Sequence, residues 1–304
     1  MPDRNSRKVI FGAIIANLAI GGLKFVAAIV TRSSAMLAEA VHSAADTGNE
    51  LLLLLGMRRS ARPPDALHPF GHGKVLYFYS LLVAVYIFAF GGGLSIYQGM
   101  SRLRHPILPE HVIWNYLVLA GAATFEFYSW QVSYSELRSR KDSNETIFDE
   151  IIGSKDPTVF TVFLEDSAGL VGTFLAFVGI LLSRALNNPY FDPIASILIG
   201  ILLAMVALLL GRETGALLVG ERTNRARIQK MKQIIVDDPA VERVGKLFTM
   251  QMGPQQALLT VEIRFQRTLD VLQVESAIHR IKERIRQQEP TMERIFIDPD
   301  QAPI

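Results

Sequence analysis

Hydrophobic residues crowd into six long stretches over the first ~210 positions, with short polar segments between them. Crossing ~30 Å of hydrocarbon takes about 20 helical residues, and most of the stretches reach that length. A backbone in lipid must satisfy its own hydrogen bonds, so each stretch is predicted to form a transmembrane helix. The predicted spans are 10–30, 36–57, 75–97, 112–134, 159–182 and 193–210.

After Arg212 the pattern becomes that of a soluble domain. Residues 260–265 alternate between polar and apolar, as in a half-buried strand, and Gly253-Pro254 predicts a turn. The order α-β-β-α-β predicts a small α+β sandwich with helices on one face of a sheet. Its predicted elements are helix 224–236, strands 241–252 and 257–265, helix 269–287 and strand 294–298. The fold class is therefore an α-helical membrane protein, with six transmembrane helices in 1–212 and an α+β domain in 213–304.

The basic residues of the predicted loops indicate how the chain is oriented. Short cytoplasmic loops carry an excess of Lys and Arg, and here one side holds most of them. We therefore expect both termini, and the α+β domain, in the cytoplasm. The two sets are Arg4, Arg7, Lys8, Arg58, Arg59, Arg62, Lys74, Arg138, Arg140, Lys141 and Lys155 on the cytoplasmic side, and Arg32, Arg102, Arg104 and Arg184 on the other.

The composition of the chain excludes several classes of protein function. The 304 residues include no cysteine, so disulfide frameworks, thiolate metal sites and cysteine nucleophiles are excluded. Lys and Arg number 31 against 29 Asp and Glu, which gives no case for a nucleic-acid partner. No HExxH pair and no Ser/His constellation points to an intramembrane enzyme, and no catalytic or cofactor-binding residue is predicted.

The second predicted helix carries a stripe of polar residues, which is unusual in a transmembrane helix. Glu39, His42, Asp46 and Asn49 are spaced 3, 4 and 3 residues apart and so share one helical face. A charge at mid-bilayer costs at least ~2.5 kcal/mol, so the stripe needs a partner: a cation, a proton path or a water-filled cavity. The alternative is a stripe that only joins helices through hydrogen bonds.

The fifth predicted helix adds two acids, Glu165 and Asp166. Adjacent residues point about 100° apart, so both are not expected to face one partner. Asp166 shares a face with Gly169 and Gly172, which would let another helix approach beside it. We expect Asp166 to meet the stripe and Glu165 to face a crevice or the helix end, the alternative being a snorkelling pair near the interface.

One imidazole and two carboxylates form a reasonable cage for a divalent transition metal. Zn²⁺ accepts nitrogen and carboxylate oxygen ligands, and two carboxylates neutralise its charge. Ligands must lose their protons to bind, so metal entry releases protons and proton entry weakens metal binding. His42, Asp46 and Asp166 are therefore predicted to form a transport site for exchange of metal against protons, with the histidine as the best proton carrier.

The loop after the second span offers a second candidate site. Asp65, His68 and His72 supply three ligands within eight residues. The alternative is that the prolines and glycines of this loop only shape a turn. Lys24 and Glu126, isolated charges inside predicted spans, are expected to pair or snorkel and not to bind substrate.

The combination of these features resembles the cation diffusion facilitator family of metal transporters, across nearly the whole chain. The resemblance is carried by the HxxxD of His42 and Asp46, the HPFGHGK sequence of 68–74, the six spans and the α-β-β-α-β tail. The stretches 154–158 and 164–167 are similar to a zinc-transporter branch of that family. The resemblance implies a homodimer through a ferredoxin-like tail, and efflux of Zn²⁺ or a related ion in exchange for protons. It also assigns His42, Asp46 and Asp166 to the transport site and Asp65, His68 and His72 to a loop site.

The sequence departs from the family pattern at two places. Much of the family supplies two ligands from the fifth helix, four residues apart, and here Val162 stands four residues before Asp166. The transport site therefore has three ligands or recruits Glu165, Asn49 or water. The tail has a single histidine, His279, with Asp298 and Asp300 near its end, so we expect dimer contacts there and no binuclear metal site.

The sequence as a whole predicts a secondary transporter in a bacterial inner membrane or an organelle membrane. Helices that rock would expose the site to each side in turn. Zn²⁺ is the expected cargo. Mn²⁺, Fe²⁺ or Co²⁺ is the alternative, because one imidazole among carboxylates does not exclude harder ions. A membrane scaffold and an intramembrane metalloenzyme are the remaining alternatives.

Overall fold

The computed structural model describes residues 4–140 and 155–299, with side chains from 17 to 138 and from 155 to 299. Several residues used in the sequence analysis fall outside that description. They are Lys141, Ser154 and Asp300, together with the side chains of Arg4, Arg7, Lys8 and Arg140.

Within the described ranges, the first part of the chain forms six long helical segments. The third segment is continuous from Lys74 to Arg104 but contains a π-helical stretch, Ile87–Gly93, between two α-helices. Its glycines pack closely on a neighbour, because a Cβ at Gly92 would lie 3.1 Å from the Gly200 carbonyl oxygen. The α-helices are α1 (Arg4–Thr31), α2 (Ser34–Ser60), α3 (Lys74–Tyr86), α4 (Leu94–Arg104), α5 (Ile113–Arg140), α6 (Pro157–Ala185) and α7 (Phe191–Val219).

Three of these segments are long and apolar enough to cross a membrane: Lys74–Arg104, Pro157–Ala185 and Phe191–Val219. The stretch Asn17–Thr31, which is the part of α1 with described side chains, is apolar but shorter. Helices α2 and α5 carry acids and bases along their length, which lowers their mean hydropathy. The prediction of membrane-spanning helices is confirmed for three segments, and the other three spans stay a prediction.

The helical bundle buries small and large apolar side chains in its core and exposes other large apolar side chains on its outside. Ala35, Ala38 and Ala176 lie in the interior and are each 0% exposed. Leu23 and Ile29 lie on the outside and are 59% and 62% exposed. Lipid would cover such an outer surface without cost. The first turn of α2 is capped from another helix, since Asp192 of α7 accepts hydrogen bonds from the backbone and hydroxyl of Ser34 (both 2.6 Å) and from the hydroxyl of Ser33.

The tail folds as α-β-β-α-β, as the sequence predicts. A three-stranded sheet has the order β1-β2-β3, with β1 and β2 antiparallel and β2 and β3 parallel. Its core is apolar and includes alternate β2 residues Leu259, Val261 and Ile263 and the α9 residues Ile281 and Ile285, each 0–1% exposed. The elements are α8 (Arg225–Val236), β1 (Val241–Gly253), β2 (Gln256–Phe265), α9 (Val271–Gln288) and β3 (Arg294–Pro299).

Helix ends in the tail follow from local sequence. Asn224 accepts a hydrogen bond from the backbone of Ala226 at the start of α8. Asp270 and Gln273 form a reciprocal capping box at the start of α9. These signals fix the boundaries, because each side chain satisfies a backbone N–H that the helix itself leaves without an acceptor.

The chain divides into two compact units, one of residues 1–58 and 78–214 and the other of residues 59–77 and 215–304. The loop after α2 therefore belongs to the same unit as the tail. Its contact with the tail is close at Gly73, where a Cβ would collide with the Met252 carbonyl. That 1–212 and 213–304 are separate domains stays a prediction.

Candidate metal centre

Polar side chains inside the helical bundle line a cavity of about 70 Å³, several times the space that one water molecule needs. Helices α1, α2, α5 and α6 all contribute to its wall. Most of the polar lining is acidic, although the surrounding bundle is apolar. The polar lining residues are Asn17, His42, Ser43, Asp46, Glu50, Glu126, Ser129, Glu165 and Asp166.

His42 and Asp46 lie one turn apart on α2, with 3.4 Å between the imidazole Nδ1 and the carboxylate Oδ1. His42 is 2% exposed. Neither of its ring nitrogens has a hydrogen-bond partner among the residues that the structure describes, and the same holds for Oδ1 of Asp46. Burying polar atoms without partners is costly, so these atoms are suited to a ligand that the cavity receives.

Glu165 and Asp166 both reach the cavity but bind different helices. Glu165 accepts a hydrogen bond from the amide of Asn49 on α2 (2.8 Å). Asp166 accepts from Ser129 (2.9 Å) and Ser133 (3.2 Å) on α5. The expectation that adjacent acids cannot both face one partner holds for their hydrogen bonds. Both side chains nevertheless line the cavity, because the space between three helices receives side chains that point about 100° apart, and Glu165 is the one hydrogen-bonded to the stripe, through Asn49.

The structure brings the predicted transport residues to one cavity without closing them into one ligand cluster. His42, Asp46, Asp166 and Glu165 all line it, and Asn49 contacts it through Glu165. Asp166 is bound to the serines of α5. In the described part of the chain, a set of three metal-ligating side chains with all atoms within 4.8 Å occurs at the loop but not here. The assignment of His42, Asp46 and Asp166 as metal ligands stays a prediction.

Several further cavity residues were missed in the sequence. Glu50 follows Asp46 by four residues, and its carboxylate accepts a hydrogen bond from Asn17 of α1 (2.6 Å). The spacing 42, 46, 50 continues the stripe at one helical turn and was the available signal. Ser129 and Asn17 gave no comparable signal, because a single hydroxyl or amide in an apolar helix is common.

Glu39, the first residue of the stripe, does not line the cavity and forms a buried ion pair instead. Lys24 of α1 donates to Glu39 (2.9 Å) and to Glu126 of α5 (2.8 Å). The hydroxyl of Thr173 on α6 lies within hydrogen-bond distance of the same two carboxylates, at 3.1 and 3.0 Å, and can donate its one proton to either. The prediction that Lys24 and Glu126 pair with a partner is confirmed, since they bind each other.

Gly169 and Gly172 provide the close approach that the sequence predicts. A Cβ at Gly169 would lie 3.3 Å from both His42 Nε2 and Glu126 Cδ, which is tighter than ordinary contact. A Cβ at Gly172 would collide with the Glu39 carboxylate. The face of α6 next to Asp166 therefore makes room for the ionic side chains of α2 and α5.

The loop residues Asp65, His68 and His72 come together as a compact triad, with one ligand atom from each within 4.8 Å of the others. Asp65 Oδ1 lies 3.0 Å from His68 Nδ1, and Asp65 Oδ2 lies 3.5 Å from His72 Nε2. Gly71, between the histidines, has φ of +86°, a conformation that glycine adopts without strain. The turn therefore aims both imidazoles at one carboxylate, although metal binding by the triad stays a prediction.

Asp65 is held in its ionised form. Its carboxylate accepts hydrogen bonds from the backbone of His68 (2.7 Å) and Leu67 (3.0 Å). The His68 backbone bond, followed by that residue's side chain, lowers the pKa of Asp65 below its ordinary value. An ionised carboxylate beside two imidazoles is the charge state that a divalent cation requires.

Comparison with known families decides the classification. Residues 10–219 match the family described as "Cation efflux transmembrane domain", and residues 224–302 match "Cation efflux protein, cytoplasmic domain". The chain belongs to the cation efflux family, also called the cation diffusion facilitators. The resemblance seen in the sequence is therefore confirmed.

Among curated relatives of the family, the chain is 33% identical over 259 residues to mouse "Proton-coupled zinc antiporter SLC30A9, mitochondrial", covering 85% of this chain and 46% of the mouse protein. It is 32% identical over 264 residues to "Metal tolerance protein C4" of Arabidopsis thaliana, covering 86% and 58%. It is 24% identical over 301 residues to "Manganese efflux system protein MneP" of Bacillus subtilis, covering 97% and 96%. The chain thus spans about half the length of the first two.

Membership in the cation efflux family agrees with the prediction of a membrane transporter and not an enzyme. It also agrees with a tail of the family's cytoplasmic domain type. The family match does not itself name the cation, and relatives named for zinc and for manganese both occur.

Proposed function

We propose that this protein exports a divalent transition metal ion, Zn²⁺ in first place, across a membrane in exchange for protons. The observation that carries the proposal is the cavity inside the bundle. It holds a buried imidazole whose nitrogens have no hydrogen-bond partner among the described residues, facing several carboxylates. An apolar bundle gains nothing from such a lining unless a charged species enters it.

His42 and Asp46 are the proposed primary ligands, and Asp166 completes the site from across the cavity. The 3.4 Å between His42 and Asp46 already suits two ligands of one ion. Asp166 has to exchange its serine hydrogen bonds for the metal, which requires a small rotation or a bridging water. Glu165, with Asn49 fixing one of its oxygens, is the proposed auxiliary ligand that replaces the one missing at Val162.

Proton coupling follows from competition for the same atoms. A metal ion binds imidazole and carboxylate only after their protons have left, so loading on one side releases protons there. Protons that enter from the other side displace the metal. Rocking of the helices would expose the cavity to each side in turn, and zinc would then leave against an inward flow of protons. The mouse relative, which is named a proton-coupled zinc antiporter, supports this reading.

Mn²⁺ is the second candidate cargo, because the cavity is rich in oxygen ligands and has one imidazole. Carboxylate and carbonyl oxygens suit Mn²⁺, whereas imidazole suits Zn²⁺. The manganese-efflux relative matches almost the full length of both chains. Its identity of 24% is below the 33% of the mouse zinc antiporter, which favours zinc.

The remaining parts of the proposal concern assembly and orientation. We propose a homodimer formed through the tail, in agreement with the family of that domain, and both termini in the cytoplasm. The triad Asp65, His68 and His72 is the proposed second metal site, since its three ligand atoms are already within 4.8 Å of one another.

The test is uptake of metal into inverted membrane vesicles, with a pH-sensitive dye inside. The wild-type protein should take up Zn²⁺ and release protons from the vesicle lumen, and Asp46→Ala should abolish both. A matched control is Asp237→Asn, an exposed acid of the tail, which should transport normally. Undiminished zinc uptake by Asp46→Ala would refute the site. Uptake of Mn²⁺ in preference to Zn²⁺ would instead establish the second candidate.

A further inference from the structure

Lys24 has an unusual position for a lysine in a membrane protein. It is 0% exposed, and its ammonium is held between two carboxylates, Glu39 and Glu126, at 2.9 and 2.8 Å. The hydroxyl of Thr173 is also within hydrogen-bond distance of both carboxylates. The group joins four helices, α1, α2, α5 and α6, and contains two acids for one base.

The two carboxylates of this group differ in what else they face. Glu126 lines the cavity together with His42, Asp46 and Asp166. Within the described residues, the lining includes neither Lys24 nor Glu39. The side chain of Glu126 is 16% exposed and that of Glu39 is 0% exposed, which agrees with Glu126 standing at the edge of an open space.

Glu126 also lies close to the imidazole. One point on the surface of α6, the position of a Cβ at Gly169, is 3.3 Å from His42 Nε2, 3.3 Å from Glu126 Cδ and 3.4 Å from Glu126 Oε2. The two side chains therefore meet over the same glycine. His42 Nε2 is buried and has no hydrogen-bond partner among the residues with described side chains, so it is aimed into the space that Glu126 borders.

We propose that Glu126 is a cation-facing carboxylate of the transport cavity, and that Lys24 competes with the transported metal for it. This inference rests on the proposed metal transport. It assigns a role to a residue of α5, a helix that the transport-site prediction did not use. A divalent ion attracts a carboxylate about twice as strongly as an ammonium at the same distance, so a metal beside His42 can draw Glu126 from Lys24.

The competition has a use in transport. A site that must both load and unload has to bind its ion strongly enough to capture it and weakly enough to release it. Lys24 opposes tight binding, because it offers Glu126 another partner of positive charge. Glu39 keeps Lys24 in place while Glu126 moves, since it holds the ammonium independently and is itself held by Thr173.

Glu39 provides a matched control, because it has the same partners as Glu126 but not the cavity. Glu126→Gln and Glu39→Gln each remove one negative charge and one partner of Lys24. If the group is only structural, the two substitutions should act alike. If Glu126 faces the metal, they should differ in metal affinity.

The experiment is titration of Zn²⁺ into full-length protein in detergent, followed by calorimetry, for the wild type and both variants. Glu126→Gln should weaken Zn²⁺ binding at the cavity about tenfold, and Glu39→Gln should change it by about twofold at most. Glu126→Gln should weaken Mn²⁺ binding by a larger factor than Zn²⁺ binding, because Mn²⁺ depends more on carboxylate oxygen. Equal losses in the two variants, or unchanged affinity in Glu126→Gln, would overturn the inference.

Two additions keep the result decisive. If Glu126→Gln does not fold, Glu126→Asp takes its place, because it keeps the charge and shortens the side chain by one methylene. This variant should still weaken Zn²⁺ binding severalfold. Unchanged affinity would again overturn the inference. Asp46→Ala is titrated in parallel. Loss of cavity binding in Asp46→Ala with normal binding in Glu126→Gln refutes this inference alone, whereas absence of cavity binding in the wild type refutes the proposed function as well.

Discussion

The helical bundle buries a group of charged side chains and exposes many large apolar ones, whereas the tail keeps most of its charged side chains exposed around an apolar core. In the bundle, Lys24 and Glu39 are 0% exposed while Leu23 is 59% exposed. In the tail, Ile281 and Ile285 are 0% exposed, and Arg280 and Arg286 are each 47% exposed at the side chain. The arrangement in the tail follows from the hydrophobic effect, since burial of apolar surface away from water drives its folding.

The exposed apolar surface of the bundle is suited to lipid, because a large apolar side chain loses no free energy by facing hydrocarbon. A lipid environment does not account for the charged interior, because burying an ionised side chain in the bundle costs free energy at any position. The comparison teaches that a buried charge in the tail needs a local partner and no more, as Asp238 has in Arg280. The excess acids of the bundle, beyond those that Lys24 and the hydroxyls satisfy, require a reason from function.

The largest expected effect is loss of the bundle's buried cation. Lys24→Met leaves two carboxylates buried without their base, and it should destabilise the protein by about 4 kcal/mol. Thermal unfolding in detergent measures this. The matched substitution in the tail, Lys230→Met, breaks a half-exposed pair with Glu289 (3.0 Å) and should cost under about 1 kcal/mol. Similar losses in both variants would contradict the comparison.

Loss of an apolar side chain should show the opposite ranking. Ile281→Ala opens a cavity in the core of the tail and should cost about 3 kcal/mol. Leu198→Ala, on the outer face of α7 at 45% exposed, should change stability by about 0.5 kcal/mol or less. Hydrogen exchange in the tail would check Ile281→Ala, and thermal unfolding in detergent would check Leu198→Ala. A large cost at Leu198 would mean that the face packs on protein and not on lipid.

Acid should weaken the tail through Asp238. Two hydrogen bonds from Arg280, both 2.8 Å, and one from the backbone of Ala240 lower the pKa of Asp238 below its ordinary value. The stabilisation is therefore complete above the unfolded pKa of about 4 and is lost as pH falls through the lower folded value. Asp238→Asn should cost about 2 kcal/mol at neutral pH and flatten the acid slope. Asp237→Asn, next to it and exposed, should leave the slope intact when melting temperature is measured against pH.

The smallest effect is expected at the helix contact beside the ion group. Gly172→Ala would drive a methyl group against the Glu39 carboxylate, at a cost of about 2 kcal/mol, offset by about 1 kcal/mol of better helix propensity. The net loss should be about 1 kcal/mol. Gly121→Ala, in α5 with nothing within 4 Å of its Cβ, should be neutral or stabilising. Denaturation of the two variants in the same detergent separates steric contact from propensity.

The elements of the tail could be predicted because their signals are local. The alternation of β2 and the capping residues Asn224 and Asp270 place strands and helices within a few residues. The stripe on α2 was equally local, since spacings of 3 and 4 put residues on one face wherever the helix lies. Glu50 was not identified as a cavity residue although its spacing continues the stripe. Glu126 gave no such signal, because nothing in α5 alone shows which of its faces meets the neighbouring helices.

The sequence by itself determined the helices, the tail topology and the presence of acids and one imidazole inside long helices of the first part of the chain. Periodicity, capping and hydropathy are properties of short segments, and short segments are what a sequence displays. Only the tertiary structure decided that Glu165 and Asp166 share a cavity, that Glu39 belongs to Lys24, and that the loop triad closes. Those outcomes depend on how helices far apart in the chain rotate and pack against each other, which no local pattern specifies.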